Sequence, residues 1–372
     1  MDSDRNTAQC KESPGRRGPA WTEVAVEPLP EGSNSNWADP GVYEVAAGVY
    51  RIPLPLPHDA LRAVNVYAVT DGTNLVLVDS GWALTESRQL LADALKAIDA
   101  ELGDVREFLI THVHRDHYTQ AVALRREFGN RIALGKLEQP SLDASANPDQ
   151  FPMQAQLDLL RLSGGQEVLT ALSKLFGSEP RHTEANLWEE PDEWLTPGRR
   201  AVLPDREFDV VHTPGHTNGH VVFVDGSADL LFSGDHVLPH ITPSIGFQPV
   251  PAELPLNDYL DSLRLVRGMP DRRMLPAHGP VTDSVHARID ELLEHHRQRL
   301  ETMAAQIEAG ASTAFEAANR LGWTRRGRKL SEMDAFNQML AVLETGAHLD
   351  LLVSQNKLAA ENIDGIRRYK TT

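Results

Sequence analysis

From Gly41 onward the chain alternates short apolar runs with turn residues, which is the pattern of a β meander. Four such runs of β-forming residues follow one another, at 42–45, 49–52, 65–69 and 75–78. Residues 86–102 then carry leucine and alanine at the spacing of a helix, and 108–110 is a short apolar strand. This order of strands, helix and strand predicts an α/β layer.

After residue 285 the apolar positions recur mainly at the spacing of α-helices. Apolar positions indicate a long first helix, a short second helix over 314–321 and a third over 331–353. Residues 357–369 are typical of a hairpin. Three helices followed by a hairpin predict a winged-helix-like domain over residues 286–372.

The first 40 residues mix Ser, Asn, Pro, Gly and charged residues without periodicity, so we expect a flexible tail over 1–40. They contain no apolar core of a signal peptide, and no stretch of the chain approaches the roughly 18 apolar residues of a membrane span. We therefore expect a cytoplasmic protein with no membrane partner. Cys10 is the one cysteine, which excludes an intrachain disulfide and a cysteine metal cluster.

The charge of the chain is unevenly distributed. Its 372 residues include 36 basic and 53 acidic ones, giving a net charge of −17, and the whole acidic excess lies in residues 1–285. Such a field repels phosphate backbones, so nucleic acid is disfavoured as a partner although a local basic site stays open. One basic cluster could contact RNA, a coenzyme A phosphate or only solvent, and it consists of Arg325, Arg326, Arg328 and Lys329.

Four potential metal ligands lie within six residues, directly after the strand at 108–110. They are His112, His114, Asp116 and His117. Imidazoles at positions i and i+2 can point to one side, while the next turn brings Asp116 and His117 to a neighbouring position, so one loop can serve two adjacent metals. Taken alone, the segment could also be a solvated histidine-rich loop.

Three further strand ends carry the same residue types. One apolar run is followed by residues 212–217, which include His216. A second ends at Gly234-Asp235, and a third is followed by Pro276–Gly279, which includes His278. Each places a His or Asp where a loop leaves the sheet edge, and four such ends together indicate a metal site.

With these motifs the chain resembles the metallo-β-lactamase superfamily of metallohydrolases, over about residues 41–285. The matching motifs are HxHxDH at 112–117, PGHT at 214–217, GD at 234–235 and PAHG at 276–279. The resemblance implies an αββα sandwich for this domain, an α/β fold. It also implies a first metal held by His112, His114 and His216, a second held by Asp116, His117 and His278, and a bridging Asp235.

The implied ligands suit Zn²⁺, with two ions expected per chain, although Fe or Mn can occupy the same residues. Paired ions roughly 3.5–4 Å apart can share a water, lower its pKa towards about 7 to give a hydroxide, and polarise the scissile carbonyl or phosphoryl oxygen. Asp116 and Asp235 are the candidate catalytic residues. The lack of a cysteine ligand, together with Asp235, argues against antibiotic hydrolysis as the main role.

Other polar residues near the motifs have two interpretations each. His212 and His220 flank the PGHT loop and are expected to support a ligand rather than to bind metal. Tyr118 stands where the family often has a small residue, and could donate to an oxyanion or pack at a helix start. His240 could touch substrate or be a surface residue. Tyr118 and His240 are therefore the candidate substrate-binding residues.

Residues 138–198 form an insertion between two ligand loops. They contain six prolines around two amphipathic helical stretches, 154–162 and 166–176. We expect a lid over the metal site that covers an apolar acyl group, with Trp188 and Trp194 nearby. The alternative is an ordinary helical pair that covers the sheet.

The winged-helix-like end resembles, more diffusely, the branch that contains β-lactamase-like endoribonucleases and fungal polyketide acyl-carrier thioesterases. We expect a dinuclear hydrolase of a thioester, ester or lactone, with a small-molecule acyl substrate that could be linked to coenzyme A. The alternative is a metal-dependent endoribonuclease, and a third hypothesis is a metal-binding regulatory module without turnover. The chain could form a homo-oligomer.

Overall fold

The structure is a computed structural model that describes residues 26–28, 36–57, 60–151, 153–176, 185–323 and 327–372. Of the predicted basic cluster, Arg325 and Arg326 lie outside the described residues. Most of the predicted tail does so as well. No helix in the described ranges has both the length and the apolar character needed to cross a membrane.

The first sheet has eight strands, which neighbour one another in chain order. Its first pair is parallel, the next three pairs form the antiparallel meander predicted from the alternating runs, and the last three pairs are parallel. The strands are β1 (Val26–Pro28), β2 (Val42–Ala46), β3 (Val49–Pro55), β4 (Ala63–Thr70), β5 (Leu75–Val78), β6 (Val105–Ile110), β7 (Arg131–Gly135) and β8 (Glu193–Leu195).

The second sheet has five strands, of which only the last pair is parallel. Its strands are β9 (Gly198–Leu203), β10 (Arg206–His212), β11 (Val221–Asp225), β12 (Leu230–Gly234) and β13 (Arg273–Pro276). A separate hairpin near the end of the chain consists of β14 (Leu358–Ile363) and β15 (Ile366–Thr371).

The helices lie between and after these strands. They are α1 (Thr85–Lys96), α2 (Arg115–Phe128), α3 (Gln139–Ala146), α4 (Gln154–Leu162), α5 (Gln166–Phe176), α6 (Pro255–Arg267), α7 (Val285–Glu308), α8 (Ala314–Asn319) and α9 (Ala335–Ser354). The last three begin at side-chain N-caps, because Ser284, Thr313 and Asp334 each accept a hydrogen bond from a backbone N–H in the first turn.

The two sheets pack face to face around a shared apolar core, in which the Tyr67 and Phe232 rings meet edge to face at 5.5 Å. Helices α1 and α2 cover the outer face of the first sheet, and α6 and the first half of α7 cover the outer face of the second. A strand buried on both faces is apolar along its whole length in the case of β5, whose four residues are Leu and Val and are all buried. The αββα sandwich is thus confirmed.

Helices α4 and α5 of the insertion pack against the C-terminal helices and not against the sheets of the sandwich. Leu160 of α4 and Val168 and Leu172 of α5 are buried in one core with residues of α7, α8 and α9. The interpretation of these helices as a cover for the sheet is therefore wrong. Trp188 and Trp194 pack against the core beneath α1 and α2.

Part of the predicted tail belongs to the sandwich. Residues 26–28 form β1, which extends the first sheet by pairing with β2. Trp37 accepts a hydrogen bond at its carbonyl oxygen from the buried Arg51 guanidinium, 2.6 Å away. The boundary predicted at residue 40 is therefore too late, because backbone pairing and a buried charge fix residues that carry no apolar periodicity.

Candidate metal centre

Four loops bring the predicted ligands to one end of the sandwich. The loop after β6 carries His112 and His114, and α2 begins directly after His114 with Asp116 and His117 in its first turn. The loops that follow β10, β12 and β13 supply His216, Asp235 and His278 respectively. Gly234 is the last residue of β12 and has a φ of 50°, and a Cβ there would lie 2.6 Å from His220 Nε2. The GD motif thus needs glycine for the approach of this imidazole.

Three imidazole nitrogens converge in the first ligand set. His114 Nδ1 lies 3.0 Å from His112 Nε2 and 3.1 Å from His216 Nε2, and the remaining pair is 3.3 Å apart. The opposite nitrogen of each ring donates to an oxygen, namely Thr111 Oγ1 for His112, the Phe247 carbonyl for His114 and the Ser244 carbonyl for His216. The converging nitrogens are therefore lone-pair donors, and a cation fits among them.

The second ligand set is built around Asp116. Its Oδ2 lies 3.6 Å from His117 Nε2 and 3.5 Å from His278 Nε2. These two imidazole nitrogens are buried and have no hydrogen-bond partner among the described residues. Their opposite nitrogens donate to Asp79 Oδ2 and to the Ala63 carbonyl, at 2.9 and 2.7 Å. Orphaned nitrogens in a buried, oriented pair fit a second cation.

Asp235 faces both sets with different oxygens. Its Oδ2 lies 3.5 Å from His216 Nε2, while its Oδ1 lies 3.4 Å from His278 Nε2 and 3.8 Å from His117 Nε2. Oδ1 is also buried without a hydrogen-bond partner in the described part of the chain. This is the arrangement expected of a bridging carboxylate. The predicted ligands, taken in threes, also form close groups of possible metal-binding atoms.

The two sets differ in their electrostatics. Burial and the neighbouring imidazoles hold the pKa of His112 well below 6.5, and burial lowers the pKa of His114 to about 3. Burial also opposes the charge of His117, but Asp116, Asp79 and Asp235 outweigh it and raise its pKa to about 10. The first set is thus neutral, whereas the carboxylates of the second favour positive charge. Metal uptake there would displace a proton.

Asp79 is a supporting residue that the sequence analysis did not single out. It follows β5 with a φ of 60°, accepts a hydrogen bond from the Thr111 backbone N–H at 2.8 Å, and orients His117. Its position in the sequence could have indicated this role, because a carboxylate directly after β5 lies at the same sheet edge as the loop after β6.

His220 and His212 support the ligand loops, as expected. His220 Nε2 accepts a hydrogen bond from the Asp235 backbone N–H at 3.1 Å, and its ring stacks on His112 at 5.1 Å. His212 Nε2 donates to the Asn218 carbonyl across the PGHT loop. Neither residue belongs to the close groups of possible ligands.

Glu138 is a second supporting residue that sequence reasoning missed. It is fully buried, accepts a hydrogen bond from the Thr217 hydroxyl, and lies against the backbone of Gly219. Burial raises the pKa of this carboxyl to about 7 in spite of its hydrogen bonds. Glu138 therefore fastens the PGHT loop to the segment before α3.

The two candidate substrate-binding residues lie in different surroundings. Tyr118 is fully buried, stacks on Trp188, and donates its hydroxyl to the Glu189 carbonyl at 2.5 Å. The suggestion that it donates to an oxyanion is wrong because the hydroxyl is already bonded within the core. His240 is exposed on the loop after β12, and the structure does not bring it into the ligand groups.

One segment, residues 244–248, connects the first ligand set to the helical part of the protein. Its carbonyls orient His114 and His216, as described above. Its last residue, Gln248, is buried and exchanges hydrogen bonds with Asn218 of the PGHT loop at 2.7 and 2.9 Å. The Gln248 carbonyl also accepts a hydrogen bond from Gln156 of α4 at 2.7 Å.

The fold, the four motifs and the paired donor sets define a metallohydrolase of the αββα class. A family model described as the metallo-beta-lactamase superfamily matches residues 59–278, which is more than half of the chain. The chain belongs to this superfamily.

Named relatives are similar over much of the chain but at low identity. The "Probable metallo-hydrolase YqjP" of Bacillus subtilis is 25 % identical over 83 % of this chain and 93 % of its own length. An "Atrochrysone carboxyl ACP thioesterase" of Aspergillus fumigatus is 23 % identical over 65 % of this chain, which spans only 44 % of that relative. A solved beta-lactamase domain protein from Burkholderia ambifaria is 27 % identical, with a TM-score of 0.69, and covers 89 % of this chain and 94 % of its own.

Proposed function

We propose that the protein is a dinuclear metal hydrolase that cleaves a thioester, ester or lactone of a small apolar acyl substrate. The observation that carries the proposal is Asp235, whose two carboxylate oxygens face two separate groups of oriented imidazole nitrogens. A site for a single ion has no use for the second group. A regulatory metal module has no need for ligands that open towards solvent, as His114 and Asp116 do.

The donor set favours Zn²⁺, because imidazole nitrogen and carboxylate oxygen are its ordinary protein ligands, while Fe or Mn would use the same residues. Two such ions supply an acidified water and polarise the scissile carbonyl when bound. The chain itself keeps the donors oriented. Hydrogen bonds to backbone carbonyls hold the proton of His114 on Nε2 and that of His216 on Nδ1.

Asp116 is the candidate for handling the proton of the attacking water. It is the half-buried carboxylate of the site, and although burial opposes its charge, His117 and His278 lower its pKa to about 2. It therefore stays ionised and can accept a hydrogen bond at the open side. Asp235 is more buried, and its pKa is also lowered by His278 and His117 against the effect of burial.

Two further observations favour an acyl substrate over RNA. One relative carries the name of an acyl-carrier-protein thioesterase. The net charge of −17 disfavours a long phosphate backbone, whereas a small acyl compound, including one carried on coenzyme A, presents few phosphates. Within the described part of the basic cluster, Arg328 and Lys329 are exposed and lie in the C-terminal region. We infer that the enzyme works in the cytoplasm on such small molecules.

The test combines metal content with a substrate panel. Zinc-saturated protein should hold about two ions per chain and hydrolyse members of a set of acyl-CoA thioesters, esters and lactones, but not single-stranded RNA. Asp235→Ala should lose both ions, and Asp116→Ala mainly the second, whereas the exposed control His240→Ala should keep both.

One ion per chain at saturation would overturn the dinuclear centre. Cleavage of RNA that depends on His114, without any acyl hydrolysis, would replace the proposed function by the endoribonuclease.

A further inference from the structure

Phe247 lies between a metal-binding histidine and the C-terminal helices. Its carbonyl accepts the His114 Nε2 hydrogen bond at 2.7 Å, and its ring stands 6.3 Å from the His114 imidazole at an interplanar angle of 65°. On its other side the Phe336 ring meets it edge to face, 5.8 Å away at 79°. The three rings form a row that begins at the first ligand set.

The far end of this row belongs to the helical part of the protein. Phe336 lies in the first turn of α9 and keeps 39 % of its surface exposed. Phe247 is half-buried and packs against the core shared by α4, α5 and the C-terminal helices. Two partly exposed aromatic rings in contact leave an apolar surface open to solvent, which is unfavourable unless something covers it.

This apolar surface lies on the accessible side of the site. His114 is half-buried while its partners His112 and His216 are buried, and it is the ligand of the first set whose ring contacts the half-buried Phe247. Among the apolar residues of the insertion, Leu172 is enclosed in the helical core. The aromatic row, in contrast, is a partly exposed apolar surface that directly adjoins a candidate metal ligand.

We propose that Phe247 and Phe336 form the wall that receives the acyl chain, and that α9 thereby sets the preference for chain length. The inference rests on the proposed acyl hydrolase function. A substrate whose carbonyl reaches the ligand sets would lay its first methylenes on Phe247, while methylenes further along the chain would reach Phe336. A short acyl group such as acetyl would contact Phe247 alone.

Because Phe336 lies further from the ligand sets than Phe247, its replacement should affect long acyl chains more than short ones. Each methylene removed from water is worth about fourfold in kcat/KM when it is buried only in the complex. Phe336→Ala should therefore lower kcat/KM by roughly tenfold for octanoyl-CoA and less than twofold for acetyl-CoA. Phe336→Leu, which keeps apolar bulk, should restore most of the loss.

Phe128 offers a matched control. It is 41 % exposed at the end of α2 and lies beside the Arg88 guanidinium, not in the aromatic row. Phe128→Ala should leave the ratio of the two kcat/KM values unchanged, and thermal unfolding with metal content should confirm that each variant is folded and loaded. If Phe336→Ala leaves the ratio of kcat/KM for octanoyl-CoA to that for acetyl-CoA unchanged, including by an equal loss for both substrates, the proposed acyl wall is wrong.

A binding measurement separates failure of the wall from failure of the proposed function. Octanoate and acetate can be titrated into cobalt-substituted protein, with the visible spectrum as readout. The wall predicts tighter binding of octanoate than of acetate, and loss of that difference in Phe336→Ala. If no acyl compound is hydrolysed but this pattern holds, the proposed reaction fails and the apolar site stands. If octanoate and acetate bind alike in the parent protein, the wall is refuted.

Discussion

A pair of buried histidines should make the helical part of the protein sensitive to acid. His296 of α7 and His348 of α9 are both buried, and His296 Nδ1 lies 3.0 Å from His348 Nε2. His348 Nδ1 donates to the Glu344 carbonyl at 2.7 Å, so its Nε2 is bare and accepts the proton of His296. The contact between the rings therefore suits two neutral imidazoles, while His296 Nε2 is buried without a hydrogen-bond partner among the described residues.

Protonation of either ring is opposed by the surroundings. Burial lowers the pKa of His348 to about 3, and burial together with His348, His295 and Arg299 holds the pKa of His296 well below 6.5. The unfolded chain binds protons at these rings below pH 6.5, whereas the folded chain does not. Stability is therefore complete above pH 6.5 and is lost as the pH falls towards the folded-state pKa values.

The magnitude follows from the size of the pH window. At pH 5 an unfolded imidazole lies 1.5 pH units below its ordinary pKa of about 6.5, which corresponds to about 2 kcal/mol for each ring and roughly 4 kcal/mol for the pair. This is a large part of the 5–15 kcal/mol by which domains are stable. Replacement of both partners by apolar residues avoids leaving one polar group unpaired.

The assay is urea unfolding of metal-free protein at pH 7 and pH 5, so that metal release does not contribute. The His296→Leu/His348→Leu double variant should lose roughly 4 kcal/mol less between the two pH values than the parent protein. The buried histidines of the ligand sets are present in both proteins and cancel in the comparison. His240→Leu, which removes an exposed imidazole, should behave as the parent does. An equal loss of stability in the double variant and the parent would show that this histidine pair is not a source of the acid sensitivity.

Two further outcomes follow from the packing of the helical part. Gln248→Leu removes the side-chain hydrogen bonds that fix the PGHT loop, so a chelator should remove one of two bound ions roughly tenfold to a hundredfold faster, as followed by stopped-flow with a zinc indicator. The control Gln120→Leu, which removes a buried amide bonded to the Ser80 carbonyl, should not speed the removal of that ion. If Gln248→Leu speeds the removal of both ions equally, Gln248 does not act on the first ligand set alone. Leu172→Ala should cost about 2–5 kcal/mol in urea unfolding with metal content and acyl preference unchanged, because the side chain fills a core. A change of acyl preference at constant metal content would instead support the lid.

The sequence predicts that the candidate ligands meet because strand ends lie at one sheet edge, whereas their division into two sets was implied by the family resemblance. His112, His216, Asp235 and His278 are far apart in the chain, yet each directly follows an apolar strand, so the topology brings them together. The groups that orient them are less predictable. The carbonyls of Ser244 and Phe247 are backbone atoms, which every residue has, so no residue type signals them.

The packing of the insertion could not be predicted for a related reason. The amphipathic faces of α4 and α5 show that one side of each helix is buried, but periodicity does not say against which partner. The sheet and the C-terminal helices were both available, and the C-terminal helices are the actual partner. The strand β1 was missed because a three-residue edge strand has too few positions for alternation to be recognised.

The two ligand sets depend on different parts of the molecule. The imidazoles of the second set are oriented by Asp79, which follows β5, and by the carbonyl of Ala63, which begins β4, so both orienting groups belong to the first sheet. His114 and His216 of the first set are oriented by residues 244–248, which Gln156 and Phe336 join to the helical part. Changes in the insertion or in α9 can therefore alter the acyl wall and the first set while the second set stays intact. If substrate preference resides in the helices, as proposed, it can therefore change while the second ligand set is preserved.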